Sequence, residues 1–254
     1  MAHPFLLGQL SDPHVGADWA VGGDPVAGLA AVVAAIAEAT PRPDAILVSG
    51  DLAEHATDGE YKRVRELLAP LRVPLYVLPG NHDDRRALNR HFGVPGGGGE
   101  PVQYAVDLGP VRLVALDTTI PGADPGALDR DRLYWLDAEL AAAPAQPTLI
   151  AMHHPPVATG VSAWDELGLA AAGRQALGEV IARHPQVRRV VAGHVHRVIS
   201  ATLAGRPVLT VPSTYVQGRL DFCSDVIEMS DDPAGYAVHA VVEGDVVSHI
   251  QPVG

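Results

Sequence analysis

Sulfur is almost absent from the chain: 254 residues hold one cysteine, Cys223, and 3 methionines. One thiol closes no internal disulfide and builds no cysteine-rich zinc site. Long apolar runs are missing too. No stretch approaches the ~20 residues of a membrane span. Phe5–Leu7, after Met1-Ala2-His3-Pro4, is too short for a secretory leader core and lacks a basic start. The expectation is a soluble, cytoplasmic chain with no membrane partner. Positive charge is scarce, with Lys+Arg 18 against Asp+Glu 30, a net charge of −12, and Lys62 as the one lysine. That balance excludes a track for polymeric nucleic acid, whose phosphates need excess cationic side chains. Disorder is excluded by 47% hydrophobic and 19% charged residues. A chain this long buries roughly 75% of its unfolded surface and needs no covalent staples. Present in quantity are 12 histidines and 30 acidic residues, the ligand set of borderline and hard divalent metals.

No Ser/Gly/Pro linker, charge block or internal repeat divides the chain, so residues 1–254 read as one domain. Short apolar runs alternate with helical patterns. Strands are expected at Phe5–Leu10, Ala45–Val48, Pro74–Leu78, Val102–Asp107, Val111–Asp117, Thr148–Met152 and Val187–Ala192. Between them, Asp24-Pro25 opens a helix with an N-cap and a first-turn proline, and Thr57–Glu60 forms a capping box. Further helices are expected at Asp83–His91, Asp129–Ala142 and Ala170–His184, with Asp83 as the cap of the first. After about residue 198 only strands follow, including Val226–Met229, Tyr236–Val242 and Val246–Ile250, a candidate cap or dimer surface. Cys223 is expected to be a buried or partly buried thiol, and His239 and His249 structural or surface residues. Alternation followed by a run of strands implies an α/β protein with two mixed sheets between helices.

Position is the informative signal. Five of these strands run into metal-ligand residue types: Asp12-Pro13-His14, Gly50-Asp51, Gly80-Asn81-His82-Asp83, His153-His154-Pro155 and Gly193-His194-Val195-His196. Each segment alone has an ordinary reading as a turn, a helix cap or a packed imidazole. In α/β sheets, however, ligands bind beyond the carboxyl ends of strands. Five such loops in one chain would converge on a single crevice, and they hold six of the 12 histidines.

The ordered set Asp-x-His, Gly-Asp, Gly-Asn-His-Asp, His and Gly-His-x-His resembles the calcineurin-like metallophosphoesterase superfamily over roughly residues 5–215. The resemblance implies a four-layer αββα sandwich. It implies two divalent ions (Mn, Fe, Zn or Co), one on Asp12, His14 and His196, the other on Asn81, His153 and His194, with Asp51 bridging both. Asn81, a neutral amide, would make the second site the more labile. His153 fits the family's His-x-Pro pattern, which leaves His154 behind it or on the surface. A hydroxide shared by the ions would attack phosphorus in line. His82 would bind a phosphate oxygen or protonate the leaving alkoxide. His55 is a further candidate substrate contact.

Departures from the superfamily's other branches narrow the choice. The residue three after Asp51 is Glu54, where purple acid phosphatases carry Tyr and double-strand-break nucleases His. No Asp-Arg-Gly run of Ser/Thr protein phosphatases follows Gly50-Asp51. The motifs look like those of bacterial class III cyclic-nucleotide phosphodiesterases and glycerophosphodiesterases, so the implied substrate is a small phosphodiester and the implied assembly a homodimer. A phosphomonoesterase or nucleotidase, and a metal-poor scaffold, are the competing readings. Arg85 and Arg86 are read as a solvated helix face, with contact to a second phosphate as the other option. The glycine run at Pro95–Pro101 lacks the Lys-Ser/Thr ending of a phosphate-binding loop.

Overall fold

A computed structural model of the chain describes residues 3–19 and 21–254. Its first sheet has five strands in the order β13-β12-β1-β2-β3. These are β1 (Phe5–Leu10), β2 (Ala45–Val48), β3 (Leu75–Val77), β12 (Ala234–Val242) and β13 (Asp245–Val253). Strands β1, β2 and β3 run parallel, and the β12–β13 hairpin joins antiparallel to β1. The second sheet has six strands in the order β4-β5-β6-β7-β9-β8. They are β4 (Tyr104–Asp107), β5 (Arg112–Ala115), β6 (Thr148–Ala151), β7 (Val187–Ala192), β8 (Ser200–Leu203) and β9 (Arg206–Thr210). A two-stranded ribbon, β10 (Gln217–Gly218) and β11 (Met229–Ser230), stands apart from both sheets.

The four layers follow from residue alternation. Ala45 and Leu47 of β2 pack between the sheets with Leu113, Ala115, Leu149, Ala151 and Val191. Their neighbours Ile46 and Val48 pack under α1 (Pro25–Glu38), α2 (Asp58–Leu68) and α3 (Arg85–Phe92). Val114, Ile150 and Val190 face α4 (Arg130–Ala142) and α6 (Ala171–Ala182) on the far side. With both faces covered, β2 and most of β6 are continuously apolar instead of alternating. The expected αββα sandwich is therefore the observed fold.

Local signals hold at the helix starts. Asp24 accepts from the Val26 amide, and Thr57 and Glu60 close a reciprocal capping box. The helix expected at Asp83 starts two residues later: Asp84 caps it, accepting from the Ala87 amide, because the Asp83 carboxylate is used elsewhere. The expected strand Val226–Met229 is mostly irregular, since its partner β10 is only two residues long. Helix α5 (Ser162–Leu167) was not signalled, having no side-chain cap at its start. Most of the strand-rich part after 198 is built into the two sheets, while Ile227 and Met229, at and just before β11, reach the strand-end crevice. Cys223, in the loop between β10 and β11, is exposed, against the expectation of a buried or partly buried thiol. No helix among the described residues is long and apolar enough to cross a membrane.

His239 on β12 is buried inside the first sheet. Its two ring nitrogens contact Ser248 Oγ (2.7 Å) and Gln9 Oε1 (2.8 Å). Burial, then the charges of Arg189 and His249, lowers its pKa to about 3. The unfolded chain takes up that proton below about 6.5, whereas the folded chain stays neutral. Stability is thus complete above that pH and falls as pH drops, by about 1.4 kcal/mol per unit from this residue. We expect the urea-unfolding free energy of wild type to fall by about 2 kcal/mol more than that of His239→Gln between pH 7 and pH 5. Equal losses in the two proteins would remove His239 as the source.

Candidate active site

The loops after β1 and β2 travel together beyond their strand ends. Asp12 N donates to Gly50 O (3.1 Å), His14 N to Asp51 O (2.9 Å) and Val15 N to Leu52 O (3.2 Å). These bonds hold Asp12, His14 and Asp51 at φ 52°, 43° and 50°, a region that costs a side-chain-bearing residue roughly 1–2 kcal/mol. His194 and His196 are also left-handed, at φ 70° and 46°. Two glycines permit the approach of the loops. A Cβ on Gly50 would lie 2.3 Å from His153 Nδ1, and one on Gly193 would lie 2.0 Å from Ser11 Oγ.

Asp83 ties the third loop to the second. Its carboxylate accepts from the amides of Gly80 (2.9 Å), Leu52 (3.2 Å) and Ala53 (3.3 Å) and from the Tyr61 hydroxyl (3.0 Å). The His82 amide donates to Asp51 Oδ1 (2.9 Å), and both Asp12 carboxylate oxygens accept from the His194 amide (3.1 Å). Each loop is thereby fixed to another by backbone groups.

The imidazoles are oriented by their outer nitrogens. Nδ1–H of His153 donates to Ser49 O (2.9 Å), that of His196 to Val216 O (2.9 Å) and that of His14 to Glu54 Oε2 (2.7 Å). Since carbonyls and carboxylates only accept, each of the three rings carries its Nδ1 proton outward and turns Nε2 inward. His194 is reversed, with Nδ1 facing Asn81 Oδ1 at 3.1 Å. The inner atoms form two adjoining groups. In one, His14 Nε2 and His196 Nε2 lie 3.0 Å apart and Asp12 Oδ1 is 3.6 Å from the latter. In the other, Asn81 Oδ1 is 3.1 Å from His153 Nε2. Asp51 Oδ2 stands between, 3.5 Å from His14 Nε2 and 3.3 Å from His153 Nε2.

Such spacings fit divalent ions. Donors bonded at ~2.1 Å to one ion, at angles of 90–110°, lie about 3.0–3.4 Å apart. Two bare ring nitrogens at 3.0 Å repel unless a cation or a proton sits between them. Without metal, protons fill that role. Burial disfavours a charged His153, but the Asp51 and Asp12 carboxylates outweigh it and raise its pKa to about 9. Asp51 itself is pushed up by burial, yet His153 and His14 hold it well below the usual carboxylate range. His196 is lowered to about 4, mainly by burial.

The structure thus brings Asp12, His14, Asp51, Asn81, His153, His194 and His196 together. His82 stands at their rim, with Nδ1 on Glu54 O at 3.1 Å. His154 is buried but spent: Nδ1 meets Thr118 Oγ1 (2.8 Å) and Nε2 meets Asp124 O (2.9 Å). His55 does not reach the crevice; it is exposed and paired with Glu60 at 3.0 Å. Arg85 is not the solvated residue expected. It is 8% exposed, bonded to Asp117 (2.8 Å) and to the carbonyls of Thr119 and Gly99. Above the donors lies a cavity of about 210 Å3, with walls that include Trp19, Trp164, Ile227 and Met229. Sequence reasoning missed these walls and the role of Glu54. Trp19 lies five residues past His14 with no motif around it, and Glu54 served only as a departure from other branches.

The family model of the calcineurin-like phosphoesterases matches residues 5–198. The chain belongs to this family. It is 37% identical to the 3',5'-cyclic adenosine monophosphate phosphodiesterase CpdA of Pseudomonas aeruginosa over 226 residues, 87% of this chain and 81% of the relative. It is 33% identical to a probable glycerophosphodiester phosphodiesterase, GpdQ, of Arcobacter nitrofigilis, covering 84% of this chain and 80% of the relative. A dimetal phosphatase structure from Danio rerio superposes over 100% of both chains with a TM-score of 0.74 at 18% identity, a likeness of fold.

The Asp83 tie makes a stability prediction. Asp83→Ala strands three backbone donors and the Tyr61 hydroxyl and should cost about 2–4 kcal/mol in urea unfolding of the metal-free protein. Tyr61→Phe, which removes one of these bonds, should cost less. A loss below about 1 kcal/mol for Asp83→Ala would mean that other contacts hold the loops together.

Proposed function

We propose that the protein is a metal-dependent phosphodiesterase acting on small diesters such as cyclic nucleotides or glycerophosphodiesters. The observation that carries this reading is the convergence of seven donor residues from five strand-end loops into two groups sharing Asp51, beneath an open cavity. Asp12, His14 and His196 would hold one ion, and Asn81, His153 and His194 the other, with Asp51 common to both. When bound, the ions supply acidified water and charge for the phosphoryl oxygens.

The chain's own residues do the rest. Nδ1–H anchoring of His14, His153 and His196 presents their Nε2 lone pairs without reorganisation. His82 faces the cavity with a side chain 30% exposed. Its Nδ1–H is committed to the Glu54 carbonyl, so proton exchange takes place at Nε2. That atom protonates the departing alkoxide, a strong base for which a positioned acid contributes about 10²–10⁴-fold. The apolar walls and limited volume suit a small diester, not a polymer. The named activities of the two relatives support the same reaction class.

The test is a kinetic panel on the Mn-reconstituted protein with cyclic AMP, a glycerophosphodiester and p-nitrophenyl mono- and diesters. Diesters should be turned over faster than monoesters. His82→Ala should bind the same number of metal ions and lose about 10²–10⁴-fold in kcat on alkyl diesters. The loss should be smaller on bis(p-nitrophenyl) phosphate, whose leaving group needs no proton. A uniform loss across leaving groups would show that His82 binds phosphate instead of acting as the acid.

A further inference from the structure

Glu54 makes a fork that its position in the sequence did not announce. One carboxylate oxygen accepts from His14 Nδ1 at 2.7 Å and the other from Trp19 Nε1 at 3.2 Å. An indole N–H can only donate, and His14 must donate through Nδ1 if its Nε2 is to face inward. The two donors meet different oxygens, an arrangement that a carboxylate supports and an amide, with an NH2 in place of one oxygen, does not. The bond therefore fixes the Trp19 ring relative to a candidate metal ligand. The indole lies 4.7 Å from the His14 ring and 6.1 Å from that of His196, within 25° of parallel to the latter. Trp164 is placed similarly, 6.1 Å from His196 at 27°. Both line the cavity above the donors, with Ile227 and Met229 continuing the wall.

We infer that Trp19, held by Glu54, is a specificity-determining wall on which a planar ring of the substrate stacks while its phosphate meets the donor groups. This rests on the phosphodiesterase reading and names its substrate class: a nucleotide or other aromatic ester, in preference to a polyol such as glycerol. Flat indole faces and aliphatic side chains offer a ring dispersion and stacking, and they offer glycerol hydroxyls few partners. Trp19 is a substrate contact, and Glu54 is a positioning residue for both the ring and His14.

Calorimetric titration of the Mn-loaded protein with AMP and with glycerol 3-phosphate tests this without relying on turnover. Wild type should bind AMP at least tenfold more tightly, and Trp19→Leu should lose most of that preference. Trp19→Phe, which keeps a flat face, should retain part of it and serves if the leucine variant fails to fold. In turnover, Trp19→Leu should raise KM for cyclic AMP about tenfold more than KM for glycerophosphoethanolamine, with kcat affected less. Glu54→Gln should weaken Mn binding by about 10–100-fold, as expected when a carboxylate behind a ligating histidine is lost, and should lower the AMP preference as well. Equal binding of the two ligands by wild type, or an unchanged preference in Trp19→Leu, overturns the inference. Absence of diester turnover with the AMP preference intact would instead overturn the phosphodiesterase reading and leave the ring site standing.

Discussion

Asp12, His14, Asp51, His194 and His196 all hold left-handed backbone conformations, with φ from 43° to 70°. Nine non-glycine residues among those described do so, and five of them are candidate ligands. The strain is therefore concentrated at the strand ends. A strand leaving its sheet carries its side chains forward and to alternate faces. Turning two residues of one loop toward a common point requires the chain to coil tightly, and the left-handed region is where it does so. What holds it there is the lattice of inter-loop bonds: the Asp12–Gly50 and His14–Asp51 amide pairs, the Asp83 tie, and the Ser213 hydroxyl donating to Asp12 O at 2.7 Å. The two helix-facing cores supply the stability that this arrangement consumes.

Charge imposes a second constraint at the same place. Asp12 and Asp51 are 0% and 2% exposed, so their carboxylates must be compensated locally. In the metal-free chain the imidazoles do this, His153 most strongly, its pKa raised to about 9 despite burial. Any cation taken up by these groups competes with those protons, so binding should release them. Two divalent ions would turn a pair of buried carboxylates into a locally cationic site. That is how a chain of net charge −12 could attract a phosphate ester. The overall charge speaks against a nucleic-acid track but says little about this crevice.

The αββα order and the donor set were legible in the sequence for related reasons. Strands buried on both faces read as unbroken apolar runs, and the chemistry-bearing residues stand where those runs stop. The capping residues Asp24 and Thr57 act through local bonds, so they too could be read directly. The illegible features depend on partners far along the chain. Asp83 looks like a helix cap until Leu52, Ala53 and Tyr61 are brought to it. Arg85 looks solvent-facing until Asp117 covers it. His55 sits next to a ligand loop in sequence, yet the capping-box Glu60 draws it outward. Trp164 lies on a helix that no capping side chain starts.

Position 54 shows how fold and selectivity separate. Strand-end donors belong to the architecture and carry no information about which ester is cleaved. The residue three after Asp51 leaves the second loop where its side chain can reach the first loop's histidine and the cavity entrance at once. A tyrosine or a histidine there, as in the branches that the sequence excludes, would place a phenol or another imidazole beside the donors. Glutamate places two acceptor oxygens there, and two donors use them, the His14 ring and the Trp19 indole, while the backbone carbonyl of the same residue accepts from His82. One residue thus links a ligand, the candidate acid and a wall of the cavity. A side-chain change at this position would alter the ligand and the wall while leaving the sandwich and the backbone bond to His82 intact, so one fold can diverge in substrate here.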